Sequence, residues 1–176
     1  MSESTRIHKA EAPKRLGFCI FTCSTSRYQK LKNNGKAEDV SGDIIESLLK
    51  KAGHQIVLRK IISDDENMIR ESLRYALSLP DADAIIFSGG TGIAQSDVTI
   101  ETVSPLLEKA LPGFGEIFRR LSFEAIGSAA VLSRAVAGVL KGKAVFCIPG
   151  SPDAVKLCLE RIILPEAGHV VKHARE

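Results

Sequence analysis

The sequence predicts an α/β protein: a three-layer α/β/α sandwich around a mostly parallel β-sheet. Short apolar runs alternate with longer amphipathic stretches, the pattern of strand–crossover–strand units. Runs such as Leu16-Gly17-Phe18-Cys19-Ile20-Phe21-Thr22-Cys23 are almost continuously apolar, as strands covered on both faces require. Two runs, Ala84-Ile85-Ile86-Phe87 and Ala144-Val145-Phe146-Cys147-Ile148, feed glycine-bearing turns. These turns are Ser88-Gly89-Gly90-Thr91-Gly92 and Pro149-Gly150-Ser151-Pro152. Turns of this kind build anion-binding crevices outside the carboxyl ends of parallel strands.

Taken in order, Met1 to Arg15 reads as a flexible lead and residues 16–176 as a single domain. Leu16 to Cys23 is the first strand. Ser24 to Asp39 is polar and long for a βα connection, so it reads as a loop, with Lys30, Lys32 and Lys36 as solvated charge. A helix from Ser41 carries Ile44, Ile45, Leu48 and Leu49 on one side and stops at Gly53. Gln55 to Ile61 is the second strand. Asp64 suits the cap of a helix bearing Met68, Ile69, Leu73, Ala76 and Leu77, which ends before Pro80.

Asp83 to Phe87 forms the third strand. From about Val98 a helix directs Val103, Leu106, Leu107 and Ala110 to the core, carries Pro105 in its first turns or is bent by it, and ends at Leu111-Pro112-Gly113. Helices over Gly115 to Phe123 and Ser128 to Val139 follow. Lys143 to Ile148 is the last strong strand. A helix over Asp153 to Ile163 is then broken by Pro165, ahead of a basic tail.

At 176 residues, with 44% hydrophobic and 26% charged side chains, the chain can bury a sizeable core. Its 24 basic and 21 acidic side chains nearly balance, and aromatics make up only 5%. Neither nucleic acid nor an anionic membrane is an expected partner. No apolar stretch has the length of a spanning helix or a signal peptide, so the expected compartment is the cytoplasm. Cys19, Cys23, Cys147 and Cys158 read as reduced packing residues. His8, His54, His169 and His173 show no metal-ligand spacing.

Right-handed crossovers bring every βα turn to one edge of the sheet. The loops at Ser24, Asp64, Gly89 and Gly150 therefore converge, although they are far apart in sequence. Gly89, Gly90 and Gly92 let successive amides approach an anion, and Thr91 adds a hydroxyl. The pattern is neither a P-loop nor a dinucleotide-binding fingerprint. Asp97 either caps the following helix or holds a divalent cation against phosphates, with Thr99 and Glu101 near it. Asp64 carries the same two readings. Ser151 is either a helix N-cap or a hydroxyl for a phosphate or a pterin-like polar edge. Ser24, Thr25 and Ser26 add hydroxyls, Arg27 suits oxyanions, and Ser133-Arg134 offers a further positive group.

These motifs, with Asp39-Val40-Ser41-Gly42-Asp43 and Asp97-Val98-Thr99-Ile100-Glu101, resemble the MoaB/MogA family of molybdenum cofactor biosynthesis proteins, related to the gephyrin G domain and closest to the MoaB branch. The likeness runs from Leu16 to Ile163. It implies a molybdopterin-binding-domain-like fold and Mg-ATP-dependent adenylylation of molybdopterin, with magnesium as cofactor and ATP and molybdopterin as substrates. Two alternatives stand beside that activity: a noncatalytic molybdopterin-binding or carrier protein, and an oligomeric scaffold module. Carried over, Gly89 to Gly92, Pro149, Gly150, Ser151 and the Ser24 turn form the pocket. Asp97 and Asp64 handle metal and nucleotide, while Asp39, Ser41 and Asp43 border the substrate. The resemblance also implies a homo-oligomer, hexamer rather than trimer, and handover to a molybdenum insertion protein. The sequence departs from the family pattern at Thr25 and Ser96, where many members carry aspartate and arginine.

Overall fold

A computed structural model describes residues 11–176, so the first ten positions of the expected flexible lead, residues 1–15, lie outside the described residues. Six strands form one sheet in the order β2-β1-β3-β6-β5-β4. Strands β1 (Gly17–Cys23), β2 (Gln55–Ile62), β3 (Ala84–Ser88) and β6 (Lys143–Ile148) run parallel. Strands β5 (Val136–Leu140) and β4 (Lys109–Ala110) extend the sheet antiparallel beyond β6. The α/β fold with a mostly parallel central sheet is therefore as the sequence predicts.

The pleat sorts the core into two layers. Phe18 and Ile20 of β1 face a cluster with Ile45, Leu49, Phe118, Val155 and Val171. Cys19, Phe21 and Cys23 face the opposite cluster, with Ile69, Leu73 and Val103. Helices α2 (Val40–Lys51), α5 (Pro112–Ile126), α6 (Pro152–Cys158) and α7 (Leu164–Ala174) cover the first face. Helices α3 (Glu66–Ser78) and α4 (Thr99–Val103) cover the second. No helix among the described residues is long and apolar enough to cross a membrane.

Several expected elements are corrected. The polar Ser24–Asp39 segment holds helix α1 (Thr25–Asn34), capped by Ser24 and ended by Gly35 at φ +67°. No residue of α1 is buried, so it lacks the apolar stripe that marks a helix in sequence. Asp65 caps α3 through the Met68 amide; Asp64 does not. Helix α4 is short: a 3₁₀ turn over Ser104–Leu106, with Pro105 inside it, directs the chain into β4, leaving Ala110 exposed. Pro112 starts α5 rather than ending its predecessor, as its fixed φ and missing N–H suit a first helical position.

The expected Ser128–Val139 helix is a 3₁₀ segment, Gly127–Leu132, followed by β5. Pro165 does not break the last helix. A π-helical turn over Leu159–Ile163 joins α6 to α7, with Pro165 in the first turn of α7.

Candidate functional site

The two glycine turns meet. Gly89 and Gly90 have φ of +105° and +61°, conformations that a side chain disfavours. A Cβ on Gly89 would lie 2.3 Å from the Cys23 carbonyl oxygen, and one on Gly150 would lie 3.1 Å from the Gly89 Cα. Glycine at 89 lets the first turn lie against the end of β1, and glycine at 150 lets the second turn lie against the first.

Scaffold side chains hold the turn carbonyls from behind. The Thr99 hydroxyl and amide donate to the Gly89 and Gly90 carbonyls, each at 2.9 Å. Ser41 Oγ donates to the Gly150 carbonyl at 2.6 Å, and Ser88 Oγ to that of Pro149 at 3.3 Å. With those acceptors engaged and the Gly89 amide donating to the Ile148 carbonyl at 3.0 Å, the amides of Gly90, Thr91 and Gly92 are the donors this turn can offer a ligand. Such a lining favours an anion.

A cavity of about 620 Å³ opens over this junction. Its wall contains Arg27, Gly89, Gly90, Thr91, Gly92, Asp97, Ser133, Arg134, Pro149, Gly150 and Ser151 from the sequence reading. The remaining expected residues, Ser24, Thr25, Asp39, Ser41, Asp43, Asp64, Thr99 and Glu101, do not line it. Leu132, which precedes Ser133-Arg134 in the family-like motif, also lines it, and Phe118, Ser122, Ala125, Ile126, Asp153, Ala154 and Leu157, not singled out from the sequence, complete the wall. The signal of the apolar ones was a helix face, which is shared by ordinary core residues, while Ser122 and Asp153 carried none.

The two carboxylates offered for metal and nucleotide sit against the first turn, Asp64 at Gly90 and Asp97 at Gly92. A Cβ on Gly92 would lie 2.7 Å from Asp97 Oδ2, and one on Gly90 would lie 2.7 Å from Asp64 Oδ1. Asp97 does not cap α4, whose N-cap residue, Val98, makes no side-chain cap bond. Instead Asp97 Oδ2 accepts the Ala94 amide at 2.9 Å. Asp64 Oδ2 accepts both the amide and the hydroxyl of Thr25, at 2.8 and 3.0 Å. Thr25 thus locks the start of α1 to the β2–α3 loop, where an aspartate would face Asp64 with like charge.

Arg27 projects from the first turn of α1 onto the cavity wall. Arg134 is anchored, donating to the Gly92 carbonyl at 3.2 Å and pairing with Glu101. Burial opposes the Glu101 charge, but hydrogen bonds from Arg134 and the backbone, with the guanidinium charge, hold its carboxyl below the ordinary range. Ser151 is the N-cap residue of α6 but makes no side-chain cap bond, leaving its hydroxyl at the wall.

Asp39, Ser41 and Asp43 lie off this cavity's wall, in the framework beside it. Asp39 accepts the Thr22 hydroxyl at 2.9 Å, the Gly42 amide at 3.1 Å and Arg59 Nη2 at 2.9 Å. Arg59 also pairs with Asp43 at 2.7 Å and Glu46 at 2.7 Å. Ser41, fully buried, supports the Gly150 turn. Among the described residues no group of three or more His, Cys, Asp or Glu side chains is placed to hold a metal ion.

Residues 19–169 match the family model described as a probable molybdopterin binding domain. The chain is 48% identical over 170 residues to the molybdenum cofactor biosynthesis protein B of Halalkalibacterium halodurans, covering 96% of each. It is 43% identical over 173 residues to the molybdopterin adenylyltransferase of Pyrococcus furiosus, covering 96% of this chain and 97% of that one. The solved structure of the tungsten cofactor synthesizing protein MoaB from Pyrococcus furiosus superposes with a TM-score of 0.84 at 42% identity, covering 94% of this chain and 100% of that one. Sequence and fold agree: this chain belongs to the MoaB/MogA family and has that family's role in molybdenum cofactor biosynthesis.

Proposed function

We propose that the cavity binds molybdopterin, with the terminal phosphate at the Gly89–Gly92 turn and the pterin against the apolar wall. The observation that carries this reading is the contact of the two glycine turns at one cavity, with their carbonyls tied back and Arg27 beside them. Ile126, Leu132 and Leu157 offer an apolar surface to the ring system, and the volume suits a ligand of that size. Calorimetric titration with molybdopterin should give saturable binding, weakened by about tenfold or more in Arg27→Ala, which loses a charge-assisted contact. Absence of saturable binding by the wild-type chain sinks the proposal.

Adenylyl transfer is the second reading, favoured by Asp97 and Asp64 against the first turn. In it an oxygen of the molybdopterin phosphate attacks the α-phosphorus of ATP in line. An O–P bond forms, the bond to the bridging oxygen breaks, and pyrophosphate leaves with that electron pair. Two carboxylates are too few for a resident metal cage but fit magnesium, which binds one or two carboxylates together with substrate phosphates. When bound, such an ion would offset phosphate charge; Asp97 on the wall and Asp64 behind Gly90 would hold it. The chain's own contribution is to place both phosphates beside the amides and keep the attacking oxygen aligned. Pyrophosphate release from molybdopterin, ATP and magnesium distinguishes this activity from binding alone.

The same reading places the chain in a homo-oligomer, hexamer over trimer, in the cytoplasm, delivering product to an insertion protein. Ile117, Phe123, Ile126 and Val131, between 50% and 82% exposed, give α5 and the following turn an apolar outer surface that suits self-association. Sedimentation equilibrium tests it: a monomer at micromolar concentration would contradict it.

A further inference from the structure

Because the chain stays helical past Pro165, His169 and His173 stand one turn apart on α7, a spacing that is not visible if the helix ends at Ile163. Their ring centroids are 4.8 Å apart and their Nε2 atoms 3.1 Å apart. The other nitrogen of each ring faces a carboxylate. His169 Nδ1 lies 3.3 Å from Glu166 Oε2, and His173 Nδ1 lies 2.7 Å from Glu176 Oε2.

An ionised carboxylate only accepts, so each Nδ1 carries the hydrogen, and a neutral ring then has its lone pair on Nε2. Two such lone pairs at 3.1 Å repel unless a cation lies between them, either a proton that makes one ring an imidazolium donor to the other or a metal ion bound by both. Metal–imidazole bonds of about 2.0–2.1 Å place two ligand nitrogens about 2.9 Å apart at a right angle and about 3.4 Å apart at the tetrahedral angle. The observed separation, 3.1 Å, falls inside that interval. A carboxylate behind each metal-bound imidazole is the usual device for fixing the tautomer and raising ligand basicity.

We propose that His169 and His173 form a two-nitrogen site for a divalent transition ion of the zinc, nickel or copper type, with Glu166 and Glu176 orienting the rings and water completing the coordination. Imidazole ligands select such ions over magnesium, which prefers oxygen. His54, on the wall of a small cavity shared with His169, is not a third ligand: its Nδ1 accepts the Leu16 amide at 3.2 Å, so its Nε2 keeps the proton. None of the site's residues lines the large cavity, so the inference stands apart from the molybdopterin reading.

The test is a calorimetric titration of the untagged, metal-free, full-length chain with Ni²⁺. One site per chain is expected, at least tenfold weaker in His169→Ala and in His173→Ala, and lost in the double variant. Glu176→Gln, which keeps both ligands, should weaken binding on the order of tenfold. Circular dichroism and molybdopterin affinity should not change in any of these variants. Equal Ni²⁺ affinity in the wild type and the double variant, or no binding by the wild type, overturns the proposal.

Discussion

Asp39 and Asp97 are the same side chain near the same edge of the sheet, but their oxygens are committed differently. Asp39 is 5% exposed, and its two oxygens satisfy a helix amide, the hydroxyl of Thr22 and the guanidinium of Arg59. Asp97 is half-buried on the cavity wall and accepts only the Ala94 amide among the described residues. An acid that closes a buried network belongs to the fold. One with acceptor capacity to spare beside a glycine turn is available to a ligand. Residue type alone does not separate the two; partner count does.

The largest effect expected from that contrast is on stability. Asp39→Ala removes the α2 cap and leaves Arg59 and Thr22 without their buried acceptor, so unfolding free energy should drop by about 3 kcal/mol. Urea denaturation checks it, and a loss below about 1 kcal/mol would place Asp39 outside the framework.

Asp97→Asn should do the opposite. Its denaturation midpoint should stay near wild type while any pyrophosphate release falls on the order of a hundredfold. Comparable turnover across a magnesium titration would remove Asp97 from the chemistry.

The ground beneath the first turn should be dry. Burial pushes the Cys23 thiol up to about 12, with Thr99 partly offsetting it and the Asp64 charge adding to it; burial also raises Cys19 to about 11. Neither thiol should react with iodoacetamide at pH 8 while the chain is folded. Rapid labelling of Cys23 would show water under Gly89.

The smallest effect concerns Glu101. Its carboxyl titrates below the ordinary value when folded, so its pairing with Arg134 stabilises the fold above the unfolded carboxylate pKa. That contribution disappears as pH falls through the folded value. Thermal melts of wild type and Glu101→Gln should therefore differ slightly at pH 7 and converge toward pH 3.

The parallel part of the sheet was readable because β1, β3 and β6 are continuous apolar runs bounded by turn residues. The antiparallel extension was not. Val136-Ala137-Gly138-Val139-Leu140 has no alternation and few large residues, so after Ala129, Ala130 and Ala135 it reads equally well as the continuation of a helix. Helix α1 was hidden by having no buried face at all.

At the site, the glycine turns and Arg27 were legible because each carries its own chemistry. Ile126 and Leu157 were not, since a cavity wall and a core look alike until the fold leaves one of them uncovered. Asp39, Ser41 and Asp43 came from family likeness, and their hydrogen bonds tie them to the framework behind the turn rather than to the cavity.

A crystal structure of the chain with molybdopterin would decide most directly whether the joined turns form the ligand site. The expected result is ligand phosphate against the amides of Gly90 to Gly92, with the ring system between Ser151 and Leu132. Ligand bound instead in the recess beside Asp39 and Arg59, with the turns empty, would contradict it.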